Sequence, residues 1–426
     1  MTPRPADSWY EATARREAPL PPLEGDVEAD VCVVGGGLSG CSTALHLAQR
    51  GYKVVLLEAE RVGYGASGRS GGQIIPGYSC GMGKFAAQVG PADAKRLWDF
   101  SVEGIGLTRD LIERNGIDCD LAWGHMHVAI KPRQRDELLE WQREQEGEYG
   151  YGKLRFVERD ELRQWVATER YVAGLLDTGA GHLHPLRYTI GLGKAAVAAG
   201  VRLHERSRVS KIEYGPVARV RTDQGSVRAK FLALCANVGH VDLSGQLARR
   251  LIGVASYIVA TNPLGADRAR ALIKDNIAVA DLNWIIDYYR LSADQRLLFG
   301  GRVSYSGLDP LGTTRATRLR MLNVFPQLAD ARIEYAWGGM IDITMSRAPD
   351  FGRLDANVYY LQGYSGHGMV LTTVAGRILA EAIAGQAERF DVFTRLKHHA
   401  FPGGRMFRRP MLVMAMTWYR LRDLLP

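Results

Sequence analysis

Apolar side chains along this chain alternate between strand and helix spacing, and the switches mark out its elements. Val31 to Val34 is a short apolar run, Leu38 to Leu47 carries apolar residues on one helical face, and Val54 to Leu57 is a second run that ends in Glu58. That order predicts a strand, a turn, a helix and a parallel strand. Pro91 to Arg114 has helical periodicity, with Leu97, Trp98, Ile105 and Leu107 among its apolar positions. Cys119 to Ile130 reads as strands, and Arg133 to Tyr149 as a charged, solvent-facing helix. Pro185 opens a helix over Leu186 to Val197. Val201 to Glu205 and Lys211 to Arg219 predict short strands, and Gly225 to Cys235 a hairpin return into a buried strand. Leu251 to Thr261, Trp284 to Leu291 and Gln295 to Gly301 alternate as strands of a half-covered sheet do. Arg315 to Ile333 predicts a helix cut short before Phe325-Pro326. Beyond Tyr335-Ala-Trp-Gly-Gly339, Tyr359 to Gln362 predicts a strand that leads through a glycine loop into a helix ending at Ile383.

Three glycine-rich stretches carry the chemistry. Gly35-x-Gly37-x-x-Gly40 lies in the first turn, and Glu58 follows 18 positions after Gly40. The first two glycines let the turn close and the backbone approach a pyrophosphate, the third lets helix and sheet pack, and the acid accepts hydrogen bonds from a ribose. An ordinary strand-turn-helix is the alternative, but the flanking runs and the acid point to a dinucleotide. Arg61 to Gln73 holds five glycines and two serines in thirteen residues. So few side chains make ordering costly, and inside a βαβ context they point to backbone laid against a ligand rather than to a flexible surface loop. The last stretch, Gly363-Tyr-Ser-Gly-His-Gly368, opens a helix and offers an anion or dipole site. The first and last stretches lie at opposite ends of the sequence, so one extended ligand is expected to bind both.

Composition narrows the class. With 426 residues, 46% hydrophobic and 23% charged, the chain reads as a globular protein of two or three domains. Its net charge of +8 comes without a dense basic cluster, which argues against nucleic acid. Cys32, Cys41, Cys80, Cys119 and Cys235 are odd in number and form no CxxC pair, so no disulfide framework is expected and the cytoplasm is the natural compartment. His125 and His127 share a strand face without a third ligand and read as packing or hydrogen-bonding groups, so no metal site is expected.

Residues 1–29 read as an arm packing through Trp9 and Tyr10, with disorder as the alternative. Residues 30–90, 176–245 and 331–400 are assigned to a discontinuous dinucleotide-binding domain, 91–175 and 246–330 to an inserted substrate domain, and 401–426 to an amphipathic tail. The fold class expected is α/β (α+β).

Gly35 to Gly40 with Glu58, the Ala66-Ser-Gly-Arg-Ser-Gly-Gly-Gln73 loop, Cys235-Ala-Asn237 and Gly363 to Gly368 occur in an order that resembles the D-amino-acid oxidase superfamily of FAD-dependent amine and amino-acid oxidoreductases, glycine oxidase and monomeric sarcosine oxidase included. The resemblance spans about residues 30 to 385. Ser8-Trp-Tyr-Glu-Ala-Thr13, the loop from Gly65 to Arg69, Phe401-Pro-Gly-Gly404 and the segment from Tyr419 to Leu425 are similar to the bacterial gamma-glutamylputrescine oxidoreductase branch, whose relatives act on other amines, cyclic imino acids such as pipecolate included.

The resemblance implies a Rossmann-like FAD-binding domain with an inserted antiparallel-sheet substrate domain. It assigns the ADP half of FAD to Gly35, Gly37, Ser39 and Glu58, with Arg69, Ser70, Gly71 and Gly72 running past the flavin. Gly366, His367, Gly368 and Met369 would present backbone donors near its pyrimidine edge, where a helix N-terminus stabilises the charge of reduction. Leu38, Gly40, Ala59, Arg61, Ala66, Ser67, Gly68, Gln73, Val209, Ala236, Asn237, Gly338, Gly363 and Tyr364 are further expected cofactor contacts. Monomeric sarcosine oxidase bonds its flavin through a cysteine in the region matching Ile341 to Thr344; none stands there, so FAD is expected to be noncovalent. That enzyme's lysine two places after the last loop glycine is Val370 here, and its way of holding a carboxylate is missing.

The reaction implied is hydride transfer from the carbon beside an unprotonated amine to flavin N5, then imine hydrolysis to an aldehyde or keto acid plus amine or ammonia. Oxidation of a 2-hydroxy acid is the alternative chemistry, and a non-catalytic relic of the fold a third reading. His367 either meets the substrate or ties its loop down. Tyr257, Trp284 and Tyr288 stand in the substrate wall or in the core, and Arg302 anchors a carboxylate or faces solvent or an acidic neighbour. Oxygen or a membrane quinone is the expected acceptor. Met411 to Tyr419, flanked by Arg405, Arg408, Arg409, Arg420 and Arg422, would lie on anionic lipid as a peripheral contact or pack on the body.

Overall fold

The computed structural model describes residues 8–304, 312–403, 410, 413 and 414, with the backbone alone for 302–304. The side chain of Arg302 and most of the tail expected over 401–426 lie outside the described residues.

Two sheets organise the chain. The first runs Asp350–Asp355, Val358–Gln362, Gly225–Leu234, Gly25–Val34, Val54–Leu57, Arg202–His204. Its last four pairings are parallel, and Asp350–Asp355 adds an antiparallel edge. Both faces are covered. Val31, Val33 and Leu56 pack under the helices Leu38–Ala48, Pro185–Ala198 and Gly368–Ile383, while Cys32, Val34, Val55 and Leu57 meet Val220, Val227 and Leu247 on the other side. This is why these strands read as unbroken apolar runs. Gly25–Val34 begins inside the segment assigned to the arm, where its solvated first half has few apolar residues.

The second sheet runs Ile333–Thr344, Leu251–Thr261, Leu297–Ser304, Tyr288–Leu291, Ala278–Asp281, Ala122–Ala129, Ala173–His182, Gln73–Ile74, with Leu154–Glu158 also paired to Ala173–His182. Its pairs are antiparallel except Ala278–Asp281 with Ala122–Ala129.

The domain boundaries read from the sequence part from the sheets in three places. Ile333–Thr344 pairs along its whole length with Leu251–Thr261, and Gln73–Ile74 pairs with Ala173–His182, so both belong to the second sheet. Helix Pro91–Arg114, assigned to the substrate domain, joins the core of the first: Leu97, Ile105 and Leu111 share a cluster with Val370 and Val374, and Gly104 allows Val370 close approach. The predicted strand Trp284 to Leu291 starts only at Tyr288, because the Asp281 carboxylate accepts the N–H groups of Asn283 and Asp287 at 3.1 Å and curls the chain between them.

The arm forms helix Trp9–Thr13, its N–H of Glu11 capped by Ser8 Oγ at 3.0 Å. Trp9 and Tyr10 are buried against His184 and Trp337. Among the described residues no single helix is long and apolar enough to cross a membrane.

Candidate active site

The first glycine stretch closes between Gly25–Val34 and helix Leu38–Ala48. A methyl at Gly35, where φ is +109°, would lie 2.6 Å from the Cys235 carbonyl oxygen, and one at Gly40 would overlap the Gly35 carbonyl. Glycine is therefore required at both, and helix Leu38–Ala48 opens at Gly37, which has no side chain to cap it, with Ser67 Oγ taking the Leu38 N–H. Glu58 leaves the end of Val54–Leu57 beside this turn and accepts the N–H of Gly36 at 2.6 Å and of Glu60 at 2.9 Å. Burial pushes its carboxyl up, against the lowering effect of those two N–H groups. His240 holds the far side of the turn: its Nε2 accepts the N–H of Ala236 at 2.9 Å and its Nδ1 meets Gln362 at 3.1 Å.

The three glycine stretches converge. Ser39 Oγ meets Tyr364 OH at 2.8 Å, Leu38 N–H donates to Ser67 Oγ at 3.0 Å, and Ser70 Oγ donates to Met369 Sδ at 3.2 Å. Arg69 is tied down by the carbonyls of Tyr64 (2.8 Å) and Gly338 (3.1 Å). Ser365 (φ +52°) and Gly366 (φ +87°) turn the last loop into helix Gly368–Ile383. Buried Asp342, its carboxyl pushed up to about 6 by desolvation, accepts the Gly363 N–H. His367 Nε2 meets the Pro76 carbonyl at 3.0 Å, and burial holds its ring below the usual histidine value.

A cavity of about 630 Å³ opens where these loops face the second sheet. Ala66, Arg69 to Gln73 and Ser365 to Val370 form its inner wall; Ser256, Tyr288, Trp284, Ile341 and His127 are among the residues opposite, and helix Pro132–Gly147 contributes Glu137, Trp141 and Glu144. Tyr288 bridges the two sides. Its OH lies 3.3 Å from Ser256 Oγ, its ring stacks so closely on Gly71 that a methyl there would sit 2.8 Å away, and burial pushes its phenol up to about 12. Asp281 also borders the cavity, its carboxyl raised to about 7 by burial and the neighbouring Asp287.

The chain matches the family model described as FAD dependent oxidoreductase over residues 30–382. It belongs to that family. The gamma-glutamylputrescine oxidoreductase of Escherichia coli (strain K12) is 43% identical over 98% of both chains. A probable oxidoreductase, OrdL, of Haemophilus influenzae is 40% identical over 98% of this chain and 97% of its own. Among solved structures, glycine oxidase from Geobacillus kaustophilus superposes with a TM-score of 0.74 at 20% identity, covering 88% of this chain and 100% of that one, which is a likeness of fold. The chain is thus an FAD-dependent amine or amino-acid oxidoreductase.

The residues present fit FAD. The glycine turn is packed so that no Cβ fits at Gly35 or Gly40, the helix it opens starts at a glycine and so presents main-chain N–H groups that suit a pyrophosphate, and Glu58 stands at the end of the adjacent strand. Ala59 and Arg61 follow it, Arg61 engaged with Glu205 at 2.8 Å. Val209 packs against the outer cluster of the first sheet, and Asn237 turns at φ +51° after the strand beside Gly35.

The flavoenzyme's expected substrate residues separate. Trp284 and Tyr288 border the cavity, and so does His367, whose ring also ties its loop down. Tyr257 does not: Ser256 takes the cavity-facing position, and Tyr257, its strand neighbour, points to the opposite face over Gly338. Three groups are not among the expected site residues. Ser365 joins the inner wall, and Arg347, at the turn after Ile333–Thr344, stacks 4.2 Å over the Trp284 ring. Buried Arg290 donates to the carbonyls of Gly71 (2.8 Å) and Leu183 (2.9 Å) and to Tyr10 OH (3.2 Å), joining the arm, the second glycine stretch and the second sheet. Among the described residues no group of three or more His, Cys, Asp or Glu is placed to hold a metal. His125 meets Gln73 Oε1 at 3.4 Å, and His127 packs against His125 and Trp141.

Proposed function

We propose that this flavoenzyme oxidises gamma-glutamylputrescine, or a related polyamine derivative, to an aldehyde and ammonia. The observation that carries the reading is 43% identity to a gamma-glutamylputrescine oxidoreductase across 98% of both chains. FAD, when bound, supplies the electron sink for the C–H bond beside the amine. The chain supplies orientation. Gly35, Gly37, Ser39 and Glu58 would hold the ADP half, Arg69 to Gly72 the flavin side, and the first-turn N–H groups of helix Gly368–Ile383 the edge where negative charge develops.

Burial lowers His127 to about 4 and also depresses His367, which makes both imidazoles neutral hydrogen-bonding groups on the cavity wall. Noncovalent FAD fits the cysteines: Ile341 to Thr344 has none, and Cys80, the one that borders the cavity, has its thiol pushed up to about 11 by burial. Oxygen or a membrane quinone would accept the electrons.

Product analysis with an artificial electron acceptor tests the substrate. Gamma-glutamylputrescine should give the aldehyde and ammonia with the highest kcat/KM among gamma-glutamylputrescine, putrescine, pipecolate, sarcosine, glycine and a 2-hydroxy acid. A higher value for pipecolate or the hydroxy acid would overturn the substrate while leaving the family in place.

A further inference from the structure

We propose that Arg347, stacked on Trp284, is the anchor for a carboxylate at the end of the substrate remote from the oxidised amine. The inference rests on the gamma-glutamylputrescine reading and deepens it, because a free diamine carries no anion and the gamma-glutamyl group adds one. Arg347 and Trp284 both border the cavity although 63 positions separate them in sequence, and the guanidinium carbon stands 4.2 Å from the ring centroid. Held over the ring, the guanidinium keeps its charge beside the cavity, and its forked N–H donors match a planar carboxylate. Two other arginines, Arg69 and Arg133, line the same cavity, and Arg69 donates to the carbonyls of Tyr64 and Gly338.

The backbone holds Arg347 in a defined place. Arg347 adopts φ +62°, a left-handed conformation that favours glycine or asparagine, and the turn that holds it is closed by its N–H to Thr344 O at 3.1 Å and by Thr344 Oγ1 to Ala348 O at 2.7 Å. The turn fixes the point on the cavity wall from which the side chain starts. Its surroundings favour exchange of water for a ligand: Ile341 and Ile343 on the preceding strand and Ile285 beside Trp284 line the same cavity. A weakly hydrated guanidinium loses less than an ammonium on such a wall.

The test uses the FAD-loaded full chain and two readouts. In the first, gamma-glutamylbutylamide, which keeps the carboxylate and lacks the oxidisable amine, is titrated while the flavin absorbance is followed. In the second, kcat and KM are compared for gamma-glutamylputrescine and putrescine. Arg347→Gln should raise the Kd of the analogue and the KM of gamma-glutamylputrescine by about 100-fold, the range of a lost charge-assisted pair, with kcat nearly unchanged. Putrescine kinetics should stay within about twofold, since a substrate without the anion loses nothing there. Arg347→Lys should recover part of the loss, and Trp284→Leu should fall between Arg347→Gln and the wild type. An unchanged Kd in a variant that retains its flavin, or equal losses for both amines, overturns the proposal. If no amine were oxidised by the wild type, the proposed function would fall, and the analogue titration would still decide the role of Arg347.

Discussion

The glycine stretches beside the first sheet are shaped by backbone, and the cavity wall on the second sheet by side chains. At Gly35 and Gly40 the packing admits no Cβ, and Gly363 and Gly366 turn at positive φ, so the requirement there falls on the main chain. Along the cavity Ser256, Tyr288, Trp284 and Arg347 come from separate strands and turns, and each acts through atoms beyond Cβ. A backbone site tolerates almost no change in residue type. A side-chain site can be altered one group at a time, so cofactor affinity and amine specificity should respond to different substitutions.

Replacing Gly40 with Val should break the first region outright. The added carbons would overlap the Gly35 carbonyl, and the protein should be recovered without FAD or not at all, read from flavin content after purification. Arg290→Met tests the joint between the regions. It strands the buried carbonyls of Gly71 and Leu183 and should cost about 3 kcal/mol in urea unfolding, because unsatisfied buried acceptors bear their full desolvation penalty.

His240→Gln sharpens the first region through pH. Burial lowers the folded pKa of His240 to about 4, whereas the unfolded ring titrates near the ordinary value of 6.5. The unfolded state therefore binds the extra proton between those values, and the stability this histidine contributes is present above 6.5 and lost as pH falls toward 4. The wild type's advantage over the variant should shrink by about 2 kcal/mol between pH 7.5 and pH 5 in urea midpoints. A constant difference would mean that the ring does not become neutral on folding.

Glu58→Gln should weaken FAD by about 10-fold, measured by fluorescence on dissociation, and leave the KM of the amine unchanged. The smallest effect belongs to the second region: Tyr288→Phe removes only the 3.3 Å contact with Ser256 Oγ and should shift the melting temperature by no more than about 2 °C.

The same contrast explains what could be read in advance. The glycine turn and Glu58 were legible because a backbone requirement restricts residue type at fixed spacing. Helix Pro91–Arg114 was legible as a helix but not as part of the first domain, since an apolar face does not say which core it joins. Ile333–Thr344 was not predicted as a strand of the second sheet: Gly338 and Gly339 interrupt its alternation, and its long pairing with Leu251–Thr261 supplies what local propensity lacks. The cavity wall was half legible. Tyr288 and Trp284 stood out as aromatics, but Tyr257 could be separated from Ser256 only by knowing which face of the strand turns inward, and nothing local marks Arg347.

Anaerobic mixing of the FAD-loaded enzyme with gamma-glutamylputrescine tests the central claim most directly. Complete loss of the oxidised flavin band, with one ammonia and one aldehyde released per FAD, is the result predicted. A flavin that stays oxidised with this and every other amine offered would contradict it.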